Sequence, residues 1–126
     1  MPQYFLVFLL LALTGLSDAQ LSGKFCGSAS TDFGDFEVEI TITSQTTADV
    51  AAAFGYDGEL KRGTAKGVTF VYNPSNGDIK VTDIQKLDDL IGEISAPISG
   101  SDLAYLKYLG DSIQIVSLGN FALPRC

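Results

Sequence analysis

The sequence predicts a mainly β domain: an antiparallel curved sheet or small barrel with one or two short helices after a central hairpin. Three observations predict it. Residues 67–83 have the pattern of a β-hairpin, residues 36–43 alternate strictly between apolar and polar side chains, and the two cysteines lie near opposite ends of the folded chain. The same observations leave an α+β arrangement open, because a helical pattern follows the hairpin.

The central hairpin is the clearest local pattern. Apolar residues occupy every second position before and after a cluster of turn residues at 73–77, where Pro74 and the pair Asn76-Gly77 suit a loop longer than two residues. One face of this hairpin supplies candidate residues for lining a ligand cavity. They are Val68, Phe70, Tyr72, Ile79 and Val81.

The cleanest amphipathic strand covers residues 36–43. Its apolar face carries Val38, Ile40 and Ile42, and its polar face carries Glu37 and Glu39 with two threonines. Such alternation is typical of an antiparallel sheet with one solvated face.

Weaker patterns precede the hairpin. Residues 24–30 are predicted as the first strand, and residues 32–35 as a turn. Residues 46–55 fit either a short helix capped by Thr47 or an irregular strand, and the alanine run favours the helix. A short strand is predicted at 59–62, followed by a loop at 63–67.

The period changes to that of a helix after the hairpin. Thr82 or Asp83 supplies an N-cap, and the Ala96-Pro97 pair ends the helix. The apolar face of this helix consists of Ile84, Leu87, Leu90, Ile91 and Ile94. A second short helical stretch is predicted at 103–109, and a closing strand at 112–118.

Residues 1–19 have the pattern of a secretory signal peptide. An unbroken apolar run covers residues 4–13, and the small residues Ser17 and Ala19 predict cleavage before Gln20. A retained membrane anchor is disfavoured, because the run is shorter than the roughly 18 residues that span a bilayer. We therefore expect a secreted, extracellular protein with a single domain over residues 20–126 and no membrane segment in the mature chain.

Cys26 and Cys126 are the two cysteines of the chain. In an oxidising compartment they predict one intramolecular disulfide, which would make the first and last elements neighbours. Pairing between two chains through the C-terminal thiol is the alternative.

Composition argues against several functions. The chain has 15 acidic and 8 basic residues, a formal net charge of −7 and no histidine. An acidic chain without a basic cluster is a poor partner for nucleic acid and anionic membranes. Without histidine, and with both cysteines bonded, the usual nucleophiles, general bases and zinc ligands are missing. We therefore predict no cofactor, no metal and no enzymatic activity.

Carboxylates are the remaining catalytic candidates. Glu37 and Glu39 lie on one strand face, roughly 7 Å apart by strand rise, a spacing at which two carboxylates can act around a water. They share that face with threonines, so a solvated surface is favoured. The same interpretation applies to Asp88-Asp89. Oxygen-bearing residues at 73–78 do not have the spacing of an EF-hand loop.

The residues Leu21-Ser22-Gly23-Lys24-Phe25 resemble the opening strand of the calycins (lipocalins and avidins), with Phe25 where that superfamily has a tryptophan. In calycins a basic residue near the chain end packs over this aromatic ring. The resemblance implies a small ligand-binding barrel in which Arg125 lies close to Phe25.

Two functions from different classes follow. The first is a secreted non-catalytic binding protein for a small apolar ligand held inside the curved sheet. The second is a secreted interaction or matrix protein, such as a protease inhibitor, an effector or an acidic component of an extracellular or mineral matrix, whose partner is another extracellular protein. Hydrolysis by carboxylates ranks lowest.

Overall fold

Eight strands form one antiparallel sheet in which every strand pairs with the next one along the chain. The computed structural model describes residues 20–126, so the predicted signal peptide lies outside the described residues. The strands are β1 (Gly23–Thr31), β2 (Gly34–Ile42), β3 (Thr47–Tyr56), β4 (Glu59–Asn73), β5 (Asp78–Val81), β6 (Tyr105–Tyr108), β7 (Ser112–Ile115) and β8 (Phe121–Pro124). One α-helix, α1 (Ile84–Ile94), lies between β5 and β6, and 3₁₀ turns cover Gly100–Leu103 and Val116–Leu118.

The sheet curves until its first and last strands meet. Phe25 of β1 pairs with Arg125, directly after β8, in a single antiparallel bridge. The result is a barrel that is nearly closed, and we call the line where β1 faces β8 the seam. The predicted fold class, mainly β with an antiparallel curved sheet or small barrel, is confirmed.

Period-2 alternation sends the apolar residues of β2 inward. Phe36, Val38 and Ile40 are buried in the core, whereas Glu37 and Glu39 lie on the outer face. The alternation therefore places every apolar side chain of this strand against the interior, as the sequence predicts.

The central hairpin is confirmed as β4 and β5. Phe70 pairs with Val81, and Tyr72 pairs with Ile79. Its turn closes through the Gly77 N–H, which donates to the Asn73 carbonyl at 2.8 Å. Gly77 has a φ of +82°, which glycine adopts without steric cost.

The helix predicted over residues 46–55 is wrong, because this segment is strand β3. Val50, Ala52 and Phe54 point inward at strand spacing and pair with β2 on one side and β4 on the other. Backbone pairing on both edges outweighs the intrinsic preference of alanine for helices.

The loop predicted at 63–67 is also wrong, because β4 runs through it, with a β-bulge between Ala65 and Val68 where Gly67 has a φ of +63°. Gly63 and Ala65 lie on the inner face, where α1 packs closely over the strand. A Cβ on Gly63 would lie 3.0 Å from the Cδ1 of Leu90. The small residues here leave space for a neighbouring helix instead of marking a turn.

Helix α1 is confirmed with the apolar face that the sequence predicts. Leu87, Leu90, Ile91 and Ile94 are buried, and Ile84 packs against the same core. Its last residue precedes Ser95, which takes a left-handed conformation just before Ala96-Pro97. The helix thus packs mainly against β4, β3 and the 3₁₀ turn at Gly100–Leu103.

The second helix, predicted at 103–109, is wrong. A capping box between Ser99 and Asp102 starts only the 3₁₀ turn at Gly100–Leu103, and β6 follows directly. The segment is too short to sustain a helix, whereas Leu106 gains a strand partner in Ile79. The predicted closing strand ends early at Ile115, and β8 is an additional strand that the sequence pattern did not indicate.

Candidate binding site

The interior of the barrel is filled by side chains. Val68, Phe70, Ile79 and Val81, four of the five predicted lining residues, line one internal cavity together with residues from β2, β3, α1, β6 and β7. That cavity has a volume of about 20 Å³, which is close to the space for a single water molecule. The fifth residue, Tyr72, is partly buried and packs edge-on against Tyr108 at 6.1 Å between ring centroids.

One end of the seam is tightly closed. The disulfide between Cys26 and Cys126 joins β1 to the residues that follow β8. The Cα atoms of the two cysteines lie 5.4 Å apart. The predicted intramolecular disulfide is therefore confirmed. Beside it, the Arg125 guanidinium lies 4.8 Å from the centre of the Phe25 ring, the contact that the calycin resemblance implies.

The same guanidinium also bridges three separate parts of the chain. It donates to the Ser22 carbonyl at 3.0 Å, to the Gly110 carbonyl at 2.8 Å and to the Tyr108 hydroxyl at 3.0 Å. A planar guanidinium can stack on a ring and donate in several directions at once, whereas a lysine ammonium cannot. Arg125 therefore ties the lead-in segment, the β6–β7 turn and the seam together.

Leu21 packs into the core at the same end of the seam. Its side chain is fully buried. The Gln45 side chain accepts from the Leu21 N–H at 3.1 Å and donates to the Leu21 carbonyl at 2.6 Å. This pair of bonds holds Leu21 in place as a neighbouring strand would. We call the region formed by Leu21, Phe25, Arg125 and the disulfide the closed end.

Ladder pairing along the seam ends at Pro124, although β1 and β8 still pack closely at Gly27, where a Cβ would lie 3.0 Å from the Ala122 carbonyl oxygen. The Cys126 N–H donates to the Lys24 carbonyl at 3.1 Å, which fixes the register of the two strands. Continuing the ladder in that register would require the N–H of residue 124 to donate to the Cys26 carbonyl, and proline has no N–H. The bridge between Phe25 and Arg125 accordingly stands isolated.

An apolar cleft lies at the far end of the seam, beside Ala29 and Thr31 of β1, and we call it the seam cleft. Its volume is about 520 Å³, which falls in the range of small-ligand sites. Its walls come from β1, the start of β2, the end of β3, the segment after α1 and the approach to β8. The lining residues are Ala29, Thr31, Phe33, Phe36, Phe54, Ala96, Pro97, Ile98, Leu118, Gly119 and Phe121.

Local structure holds the Phe33 ring at the cleft in an exposed position. The Thr31 hydroxyl donates to the Gly34 carbonyl at 2.7 Å and accepts from the Phe33 N–H at 3.1 Å. These bonds fix the β1–β2 turn, and 67% of Phe33 remains exposed. A phenyl ring left in water at the edge of an apolar cleft is an unusual use of an aromatic residue.

Sequence reasoning missed the seam cleft. Its residues come from five separate segments, and only the pairing of β1 with the end of β8 brings Phe33 and Phe121 to one place. The one available signal was Phe33 itself, an aromatic residue in a predicted turn.

The carboxylate candidates form ion pairs on the outer face of the sheet. Glu39 accepts from Lys24 at 2.9 Å, and Glu37 lies 3.7 Å from Arg62. All four side chains are substantially exposed. The two glutamates thus have cationic neighbours in solvent, and together with Arg62 they line an open groove of about 530 Å³ on the outer face of the sheet.

The polar turn at 73–78 uses its oxygens for local bonds. The Asn73 Oδ1 accepts from the Ser75 N–H, and the Asn76 Oδ1 accepts from the Asp78 N–H. Within residues 20–126 no group of three or more His, Cys, Asp or Glu side chains stands close enough to hold a metal ion. No helix in this part of the chain has the length and apolar character needed to cross a bilayer.

Comparison with known proteins gives no relative from which to transfer a function. No family model matches the chain, and neither a curated protein nor a solved structure matches it significantly.

Proposed function

We propose that the protein is a non-catalytic binding protein for a small apolar ligand, acting after secretion, and that the ligand sits in the seam cleft and not in the barrel interior. The observation that carries the proposal is the contrast between the two spaces. The interior offers about 20 Å³, whereas the seam cleft offers about 520 Å³ with an almost entirely apolar lining. A rigid barrel with one apolar opening is a common arrangement for ligand binding.

Export supports the same proposal. The pattern of a signal peptide and the disulfide between Cys26 and Cys126 both fit an oxidising compartment. An apolar cleft exposed to solvent is typical of a binding site, because contiguous exposed apolar surface otherwise promotes association.

Binding of an uncharged fluorescent probe tests the proposal. N-phenyl-naphthylamine is fluorescent in apolar surroundings, and the chain has no tryptophan to interfere with its signal. We expect saturable binding with one site per chain. Phe33→Ala removes an exposed wall of the cleft and should weaken binding about tenfold, equivalent to about 1.4 kcal/mol.

Val71→Ala is the matched control. Val71 is 61% exposed, close to the 67% of Phe33, but it lies on the outer face of β4, away from the cleft. It should leave the affinity unchanged. No saturable binding, or equal losses in both variants, would contradict the proposal and favour the alternative of an interaction protein that acts through its surface.

A further inference from the structure

We infer that the ligand of the seam cleft is uncharged: a hydrocarbon-rich molecule, such as an alcohol, ester or ketone, and not a carboxylate or an amine. This inference rests on the proposed function and adds the chemical class of the ligand. It follows from the side chains that line the cleft and from the charges that border it.

The lining contains no ionisable side chain. Its one polar side chain is Thr31, whose hydroxyl already donates to the Gly34 carbonyl. A charged group that entered the cleft would lose its hydration without gaining an ion pair, and an isolated buried charge is strongly disfavoured. An uncharged oxygen at the mouth has a much smaller hydration free energy to lose.

The charges that border the cleft do not favour a charged ligand either. Asp32 adjoins Phe33 in the β1–β2 turn and is exposed to solvent, where an ion pair contributes little. Lys61 is the basic residue tied to the cleft wall, since its ammonium donates to the Ser95 hydroxyl at 3.3 Å, one residue before Ala96. Ser95 is the C-cap of α1, so the Lys61 ammonium lies at the carboxyl end of the helix, where the helix dipole attracts a cation.

The net charge of the chain should make it bind an anionic ligand more weakly than a cationic one. The chain has a formal net charge of −7, so its field repels an approaching carboxylate and mildly attracts an amine. We therefore expect affinity to fall from the neutral compound to the cation and then to the anion.

The aromatic walls favour hydrocarbon on the ligand. Four phenylalanines contribute rings from different directions, namely Phe33, Phe36, Phe54 and Phe121. Phenyl rings contact alkyl chains and other rings well and supply no hydrogen-bond donor for an anion.

Three ligands of equal chain length test the inference. n-Decanol, decylammonium and decanoate differ only in the head group, and at neutral pH they are neutral, cationic and anionic. Each is titrated against protein loaded with N-phenyl-naphthylamine, the two ions below their micelle concentrations and n-decanol below its solubility limit. We expect n-decanol to displace the probe at least tenfold more effectively than decanoate, with decylammonium between them.

Decanoate that binds as tightly as n-decanol would overturn the inference while leaving the proposed function intact. A probe that does not bind at all would overturn the proposed function first. The two failures are therefore distinguishable in one set of titrations.

Lys61→Gln examines the lysine whose ammonium bonds to the cleft wall through Ser95. If Lys61 only supports the end of α1, the variant should keep the same ratio of n-decanol to decanoate affinity as the native chain. Lys66→Gln, at another exposed lysine of β4, is the matched control. A loss of decanoate binding in Lys61→Gln alone would identify Lys61 as an anchor for an acidic head group and would overturn the inference.

Discussion

The closed end and the seam cleft are two parts of the same seam, built on the same pair of strands, yet they differ in every contact. At the closed end the disulfide, the Arg125 guanidinium and the buried Leu21 side chain converge within a few residues of Phe25. At the cleft β1 pairs with β2 but not with β8, and the Phe33 ring is exposed to solvent. The comparison indicates that stability is concentrated at one end of the barrel, which leaves the other end free to bind.

Removal of the disulfide should have the largest effect on this division. Cys26 and Cys126 enclose a separation of 100 residues, and a crosslink of that length stabilises a fold by about 4.7 kcal/mol on the chain-entropy model. The double variant Cys26→Ser/Cys126→Ser should therefore lose a free energy of unfolding of this order, measured by urea denaturation.

Reductant added to the native chain should reproduce the same loss, which controls for effects of the serines. A loss below about 1 kcal/mol would mean that Arg125 and Leu21 hold the seam without the disulfide. Under conditions where the double variant stays folded, its affinity for the probe should be unchanged. A parallel loss of affinity would show that the two ends are coupled.

Truncation of one apolar side chain at each end sharpens the comparison. Leu21→Ala leaves a cavity at a fully buried position of the closed end and should destabilise by about 2–4 kcal/mol. Phe33→Ala removes a larger side chain that is 67% exposed and should change stability by no more than about 0.5 kcal/mol. Thermal or urea unfolding measures both, and equal losses would contradict the division.

The two arginines of the chain provide a smaller contrast. Arg125→Met removes a ring contact and three hydrogen bonds at the closed end and should cost about 1–2 kcal/mol. Arg62→Met removes one exposed ion pair at 3.7 Å and should cost less than about 0.5 kcal/mol. Arg125→Lys keeps the charge but loses the planar guanidinium that stacks on the ring and donates in several directions. Its stability should therefore be closer to that of Arg125→Met than to that of the native chain.

The closed end could be anticipated from the sequence, because its parts carry local signals. Two cysteines in a chain that begins with the pattern of a signal peptide predict a disulfide, and that disulfide places the residue before Cys126 beside the residue before Cys26. The amphipathic strand, the central hairpin and α1 were likewise visible as periodic patterns. Neighbouring residues determine the strand, the hairpin and the helix, and the disulfide follows because the chain has two cysteines to pair.

The seam cleft could not be anticipated, because it depends on pairing between distant segments. Residues 46–55 favour a helix when considered alone, and only strand pairing on both edges makes them β3. The same holds for Gly63, which resembles a loop residue until α1 packs over it. Local sequence patterns therefore predict the interior face of the hairpin but not the seam cleft, whose walls come from distant segments.

The smallest expected effect concerns Tyr72, whose ring packs against Tyr108 near the closed end. Burial raises the pKa of the Tyr72 phenol above its ordinary value of 10.0, and the neighbouring Tyr108 adds to the rise. The folded chain thus holds this proton more tightly than the unfolded chain does. The resulting stability is fully present below about pH 10, and it is lost as the pH rises through the folded-state pKa.

Unfolding free energies measured across alkaline pH should therefore fall more steeply for the native chain than for Tyr72→Phe. Tyr105→Phe, at a half-exposed tyrosine on the outer face, should leave the steep decline in place. If Tyr72→Phe and the native chain declined in parallel, the Tyr72 phenol would be as well hydrated in the fold as in the unfolded chain. In that case the part of the closed end from which water is excluded would include Phe25 and Tyr108, whose ring centroids lie 6.0 Å apart, but not Tyr72 of the hairpin.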